Sequence, residues 1–337
     1  MSVLNLYESR VLSKTACFLL RQRYRSFPRL IENRRECSLF DYKGVAGPLP
    51  KYYEEICTDN NSFGIGHCLR AYASYKKNYV NGWIEHGYFW ADVVSSLAAK
   101  SFAKTILTFG AHRVKVNQQL LPNKQVIAIG PYIHYAPDYL SEQEFDKLKK
   151  ELGRVLLVFP VHSGTGMKTE FDVGELFRYI DGISDGFDTI LFSLFWSDIT
   201  DEFVKVLCGH EKVIIACSGH RYDWNFLSRQ KTLIKLADVT MSNGLGTNLV
   251  YCTYLGRPHW LVNQTIERSA KDDNGVAHLE YIKKNANNSS IKKDFLEAFG
   301  SFSDSLTNAQ FELCRSTFGF DNVMSPAEMY NLLQSLS

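Results

Sequence analysis

No stretch of this chain stays apolar for the roughly 20 residues that a membrane-spanning helix needs, so its body is not built into a bilayer. The opening residues also lack a signal peptide's long apolar segment and small-residue cleavage site, and a cytoplasmic location is expected. The eight cysteines (Cys17, Cys37, Cys57, Cys68, Cys208, Cys217, Cys252 and Cys314) include no C-x-x-C pair. That spacing argues against a zinc site and against a disulfide framework, and it suits a reducing compartment. Charge of one sign is missing as well: 38 Lys and Arg stand against 36 Asp and Glu, a formal net charge of +2. Such balance carries no global nucleic-acid signature. There is no internal repeat, no low-complexity tract, no G-x-x-x-x-G-K-[ST], no G-x-G-x-x-G and no D-x-D. The usual ATPase loop and nicotinamide fingerprint are thereby excluded, and no metal or other cofactor is expected.

What is present is an ordinary globular composition, 45% hydrophobic and 22% charged, over 337 residues. That length exceeds what one core comfortably fills and leads to an expectation of two domains. Residues 141–276 are the most legible. Ser141 with Glu144 forms a capping box, and Gly153 should end the helix it opens. A short apolar run follows at 154–160, then a helix at 172–183, a strand at 189–195, a helix at 200–208 and a strand at 212–218. A helix at 226–236, a strand at 238–241, a helix at 247–255 and a strand starting at His259 complete the series. Strands alternating with helices predict a doubly wound parallel sheet. The first half is less regular, with strand-like runs at 104–110 and 124–133 and an interrupted apolar stretch at 81–94. It is read as a smaller α/β domain, joined to the second by "GPYIHYAPDYL". The division expected is 1–135, 136–276 and a helical 277–337 that folds back across the junction.

In an open parallel sheet, ligands bind beyond the carboxyl ends of the strands. Here those ends carry "VHSGTG", "WSD", "GHRYDW" and "SNGLGTN". The candidates at that edge are His162, Ser163, Gly164, His220, Arg221, Ser242, Asn243, Gly246 and Thr247. The last loop leads into a helix whose first N–H groups lack partners, a natural seat for phosphate.

"SNGLGTNLVYCTYLGRPH" resembles the donor-binding segment of two-domain (GT-B type) glycosyltransferases and of the related teichoic-acid glycerophosphotransferases. "WIEHGYFW" is similar to the His-Gly element of their N-terminal domain, and Gly256-Arg257-Pro258 is similar to their Gly-Lys-Pro turn. "LLVFPVHSGTG" and "IGPYIHYAP" are similar to segments of bacterial proteins encoded with lipopolysaccharide and capsule genes. The resemblance implies two Rossmann-like domains facing a cleft. It implies a nucleotide-sugar co-substrate, a glycan or lipid-linked glycan acceptor, and metal-independent sugar transfer in surface polysaccharide synthesis. Glu85 and His86 are the expected base candidates; Ser242 and the amides at Gly246 and Thr247 would hold the leaving phosphate, with His220 or Arg221 adding positive charge. One departure stands out: the acidic residue those enzymes carry after the loop is absent, and Val250, Tyr251 and Cys252 occupy its place. Glycerophospho- or pyruvyl-transfer on the same scaffold, and a non-catalytic assembly role, are the alternative readings.

Residues 1–36 carry eight Arg and Lys against three Glu, interleaved with Leu12, Phe18, Leu19, Leu20 and Phe27. A basic helix lying peripherally on the anionic inner membrane and an ordinary packed helix both fit this pattern.

Overall fold

The computed structural model describes residues 8–50, 52–164, 166–284 and 289–336, so the first seven positions of the basic segment lie outside the described residues. Its strands are β1 (Trp83–Ile84), β2 (Thr105–Thr108), β3 (Gln125–Ala128), β4 (Val155–Phe159) and β5 (Met167–Glu170). They continue with β6 (Thr189–Ser193), β7 (Val213–Ala216), β8 (Val239–Ser242), β9 (His259–Leu261) and β10 (Glu267–Ala270).

The larger sheet is wholly parallel, in the order β7-β6-β4-β8-β9. Its central strand "VLLVF" is buried at every position. Helices cover both faces of such a sheet, which is why its strands read as unbroken apolar runs rather than alternating ones. The helices between them match the periodicity closely: Glu142–Leu152, Val173–Asp181, Asp201–Leu207, Phe226–Leu236 and Thr247–Tyr254. The Ser141–Glu144 capping box forms as expected.

The smaller sheet, β1-β2-β3, is also parallel and belongs to the first half. β1 is only two residues long, and Glu85, which follows it, turns its side chain into a buried ionic cluster. The fold is therefore α/β with two parallel sheets, as the strand–helix alternation predicts. One hydrophobic core runs through both, including Leu107 and Phe109 from the small sheet, Leu157 and Leu191 from the large one, and Phe318 from the tail.

The "GPYIHYAPDYL" segment is packed core rather than a loose linker. Tyr132, Ile133 and Tyr135 are all buried, and the Tyr135 hydroxyl donates to the Ile129 carbonyl at 2.5 Å. Three large side chains in so short a segment remove too much apolar surface from water to be left outside.

The tail folds back as expected. Asn308–Phe318 packs on both the Thr247–Tyr254 helix and the Ala111–Leu120 helix, one from each half. Pro326–Ser335 packs on Ile65–Tyr72. Glycine is needed where this return touches β2, since a Cβ on Gly110 would lie 2.2 Å from the Gly319 nitrogen. The N-terminal helices are Arg10–Arg23 and Phe27–Arg35. Phe27 stacks on Tyr52 and meets Trp224 edge-on, which buries the aromatic side of the second helix. Among the described residues no helix is long and apolar enough to cross a membrane.

Candidate active site

In the large sheet the chain leaves β4 in one direction for β6 and β7, then returns to the other side of β4 for β8 and β9. Crossovers of opposite sense part at the carboxyl ends of β4 and β8, which leaves a crevice there. A cavity of about 400 Å³ occupies that crevice, and β1 of the smaller sheet points its own carboxyl end at it. The opening is within the size range of small-molecule sites. Its walls come from Pro160 and His162 after β4, Phe195 after β6, Gly244 to Asn248 after β8, and His86 with Gly87 after β1.

The two halves meet at a hydrogen bond. The Tyr88 backbone N–H donates to the Thr247 hydroxyl at 2.9 Å. A Cβ on Gly87 would lie 3.4 Å from that hydroxyl, so the His-Gly turn lies directly against the first turn of the Thr247–Tyr254 helix. No side chain caps that helix at Gly246. Its first amides therefore retain the partial positive charge of a helix start and face the cavity. Gly244 is a true close approach: a Cβ there would lie 2.4 Å from Val161.

His86 sits at the rim, about one third exposed, with Nδ1 3.1 Å from Asp59 Oδ2. A carboxylate on one ring nitrogen orients the imidazole and leaves Nε2 as the acceptor available to the cavity. Asp59 escaped the sequence reading because it lies 27 positions upstream in a polar turn with no motif around it. Next to it is Phe63, a cavity wall held at φ 59° by a backbone bond from its N–H to the Arg221 carbonyl at 2.6 Å.

Several expected site residues have structural work instead. Glu85 is 1% exposed and bonded to the Arg113 guanidinium at 2.6 and 3.2 Å, to Asn117 at 3.0 Å and to the Thr108 hydroxyl. A carboxylate so engaged has no lone pair turned toward a substrate, so Glu85 is removed as a base. The sequence could not separate it from its neighbour, since β1 ends between them and adjacent side chains leave in opposite directions.

Ser242 bonds the Gly244 carbonyl at 3.0 Å and His259 at 2.9 Å, which uses its hydroxyl inside the loop. Asn243 receives the Val161 N–H at 2.7 Å and donates to Gln264 at 2.7 Å, tying the β4 and β8 loops together. Ser163 donates its N–H to Asp198 at 2.6 Å and accepts from the Thr169 N–H at 3.1 Å. Gly164 sits in the same turn, outside the cavity lining, its added Cβ meeting Met167 at 3.2 Å. These four residues, Ser242, Asn243, Ser163 and Gly164, shape the walls of the site rather than touch its contents.

His162 does line the cavity. It stacks on Phe195 at 3.9 Å and contacts the Ser163 carbonyl through Nδ1 at 3.0 Å. The residue is exposed to solvent, yet neighbouring protein partly encloses the ring. That enclosure pushes its pKa below the ordinary histidine value, with the positive Arg268 adding to the effect against the Ser163 carbonyl and Asp198. His220 is pushed down to about 4 by burial, with Arg34 and Arg221 adding repulsion. It receives the Tyr222 N–H at 3.2 Å and packs beside Trp196. Arg221 reaches Ser62 at 3.0 Å across the junction. Neither His220 nor Arg221 is among the residues lining the cavity.

The charge comes from Arg268, which the sequence reading missed. It lies on β10, which pairs antiparallel with β5 and places Arg268 opposite Thr169. "MKTE" and "ERSA" carry no apolar alternation, so nothing local marks this polar ribbon as strand. Among the described residues lining the cavity there is no carboxylate, and Arg268 is the only Lys or Arg. Arg268 and a helix start face an acid-free cavity, which selects for an anion. Val250 and Cys252, at the place of the absent acidic residue, are completely buried, and Tyr251 forms part of the cavity wall. Among the described residues no three His, Cys, Asp or Glu side chains converge as a metal-binding group.

No protein-family model and no curated protein matches the sequence. Several solved structures share a loose likeness of fold. Medicago truncatula UGT71G1, complexed with UDP-glucose, is 13% identical, with 82% of this chain and 69% of that chain covered and a TM-score of 0.35. The glycotransferase of kitacinnamycin is 12% identical, with 94% and 66% covered and a TM-score of 0.36. The wall teichoic acid polymerase TagF is 11% identical, with 69% and 52% covered and a TM-score of 0.33. The chain thus spans about half to two thirds of the length of the structures it overlaps.

Proposed function

We propose that this chain is a glycosyltransferase of the GT-B type. In this reading it moves a sugar from a nucleotide-activated donor to a glycan or lipid-linked glycan acceptor, in the synthesis of bacterial surface polysaccharide. The observation that carries the reading is the single cavity shared by His86, with Asp59 behind it, and by the uncapped Thr247 helix start with Arg268. One side offers a proton acceptor and the other holds an anion.

The chemistry follows from that polarity. His86 Nε2 takes the proton from an acceptor hydroxyl as its oxygen bonds the anomeric carbon of the donor sugar. The bond from that carbon to the leaving phosphate oxygen breaks, and the new negative charge falls among the amides at Gly246 and Thr247 and the Arg268 guanidinium. No metal is required in this scheme, because amides and a guanidinium meet the leaving charge. The stacked His162–Phe195 pair supplies a flat apolar surface within the same cavity for a base or sugar ring. The protein works in the cytoplasm, where nucleotide-activated sugars are made.

The test is a thermal-shift screen against CMP, CDP, UDP, GDP and ADP, followed by product analysis with the sugar conjugate of whichever nucleotide binds. A ligand at a hundred times its dissociation constant adds about 2.7 kcal/mol of stability. A melting temperature raised by one nucleotide, and a new glycosidic linkage in the product, are expected. A phosphodiester or ketal product would assign the scaffold to glycerophospho- or pyruvyl-transfer. No response to any of the five would remove the donor site, and the transferase reading with it.

A further inference from the structure

The Arg10–Arg23 helix is turned inside out relative to an ordinary surface helix. Its inner side presents Ser13 and Cys17, both buried, with the Cys17 thiol 3.4 Å from the Glu55 carbonyl and Arg21 bonded to the Tyr53 carbonyl at 3.3 Å. Its outer side carries Val11, Leu12, Phe18 and Leu19, which are 72%, 48%, 61% and 60% exposed. At about 100° per residue, Val11 and Phe18 fall in one row and Leu12 and Leu19 in a second, with the exposed Thr15 and Gln22 between them, so the four apolar side chains share one outward face as a stripe interrupted by two small or uncharged polar residues. A helix on a soluble surface places its apolar residues inward, and this one, although Cys17 and part of Leu20 face inward, leaves its four largest other apolar side chains outside.

The charges around the stripe are of one sign. Arg10 and Lys14 flank it on one side and Arg23 on the other, while Arg25 and Arg29 continue, exposed, past its end. No Asp or Glu occurs between positions 10 and 31. An apolar stripe bordered by cations on both sides matches the boundary between anionic headgroups and acyl chains. Leu20 is half-buried and Phe27 buried in the structure, so the surface is narrower and better defined than the composition of residues 1–36 suggests.

We infer that the outer face of the Arg10–Arg23 helix docks the protein on the surface of an anionic lipid bilayer, with Phe18 and Leu19 at the centre of the contact. The segment that grips this helix, Tyr53 to Glu55, runs directly into Asp59 and so to His86. Docking there brings the base side of the cavity toward the membrane, where a lipid-linked acceptor would arrive. That clause rests on the proposed function; the docking itself does not.

The experiment is cosedimentation of the full chain with vesicles of phosphatidylcholine alone, or with about 30 mol% phosphatidylglycerol, at low and high salt. The wild type is expected to pellet with the anionic vesicles at low salt and to remain in solution with the neutral ones. Phe18→Ser with Leu19→Ser, and separately Arg23→Glu with Arg25→Glu, should each weaken partitioning about tenfold or more with no change in melting temperature. A wild type that never pellets, or variants that pellet as it does, would overturn the inference. So would a dimer, seen by light scattering, that Phe18→Ser with Leu19→Ser dissolves, since the stripe would then be an interface between copies of the chain.

Discussion

The backbone N–H of Tyr88 and the side chain of Thr247, 159 positions apart in the chain, are joined by a 2.9 Å hydrogen bond that closes the cavity between the two sheets. It fixes the distance between the base side and the anion side, so it bears on stability and on transfer together. Thr247→Val, which keeps the shape and removes the acceptor, should cost about 1 to 2 kcal/mol of stability. It should lower turnover more than it weakens nucleotide binding, because the backbone amides remain. Denaturant unfolding and isothermal titration with the identified nucleotide check both parts.

Removing the imidazole separates chemistry from binding. His86→Ala should reduce transfer by about a hundredfold to ten-thousandfold and leave the nucleotide-induced thermal shift in place. Asp59→Asn should lower turnover by a smaller factor, because it misorients the ring without removing it. Wild-type rates in His86→Ala would eliminate this residue as the base.

Glu85 should behave in the opposite way. Glu85→Gln leaves the completely buried Arg113 guanidinium without its counter-charge, a loss of about 3 to 5 kcal/mol. The expected result is a large drop in melting temperature before any effect on activity is measurable. A variant that melts like the wild type yet does not turn over would restore Glu85 to the chemistry.

Arg268 is exposed on a polar ribbon, so its removal should be silent in the empty protein. Arg268→Ala should weaken nucleoside diphosphate binding by about tenfold to a hundredfold, the loss of one charge-assisted contact. Nucleoside binding should hardly change, and titration of the matched pair distinguishes a phosphate contact from a general effect.

His259 gives the pH dependence a definite sign. It is fully enclosed between Thr240 and Ser242, and burial pushes its pKa down to about 3. The unfolded chain binds the proton near pH 6.5 while the folded chain refuses it, so the stability it contributes is present above that value and falls as pH drops toward 3. Relative to His259→Asn, the wild type's advantage in urea unfolding should shrink by about 2 kcal/mol between pH 7 and pH 4.5. An advantage that is constant over this range would mean that the ring titrates equally in both states.

The second half was largely legible because its signals are local. Apolar runs of five residues, Ser141 three positions before Glu144, and glycines after helices each specify an element within their own neighbourhood. Gly246 and Thr247 stand out in the sequence for that reason, since a strand, two glycines and a helix start are contiguous there, and both line the cavity. Asp59 and Arg268 do not stand out, because the first gains its meaning only against His86 and the second only once two polar segments pair. Glu85, Ser242 and Asn243 have the right chemistry in the right loops, yet each turns inward to hold the walls that the exposed residues line.

By itself the sequence determined an α/β protein with a parallel sheet, the polar loops that gather at one edge of that sheet, and a basic first helix. Those properties follow from periodicity and turn chemistry, which act over a few residues. Tertiary structure decided which side chains reach the cavity, which carry charge there, and which face of the first helix is left bare. Such outcomes depend on the direction of a Cβ and on partners far along the chain, and packing alone settles them.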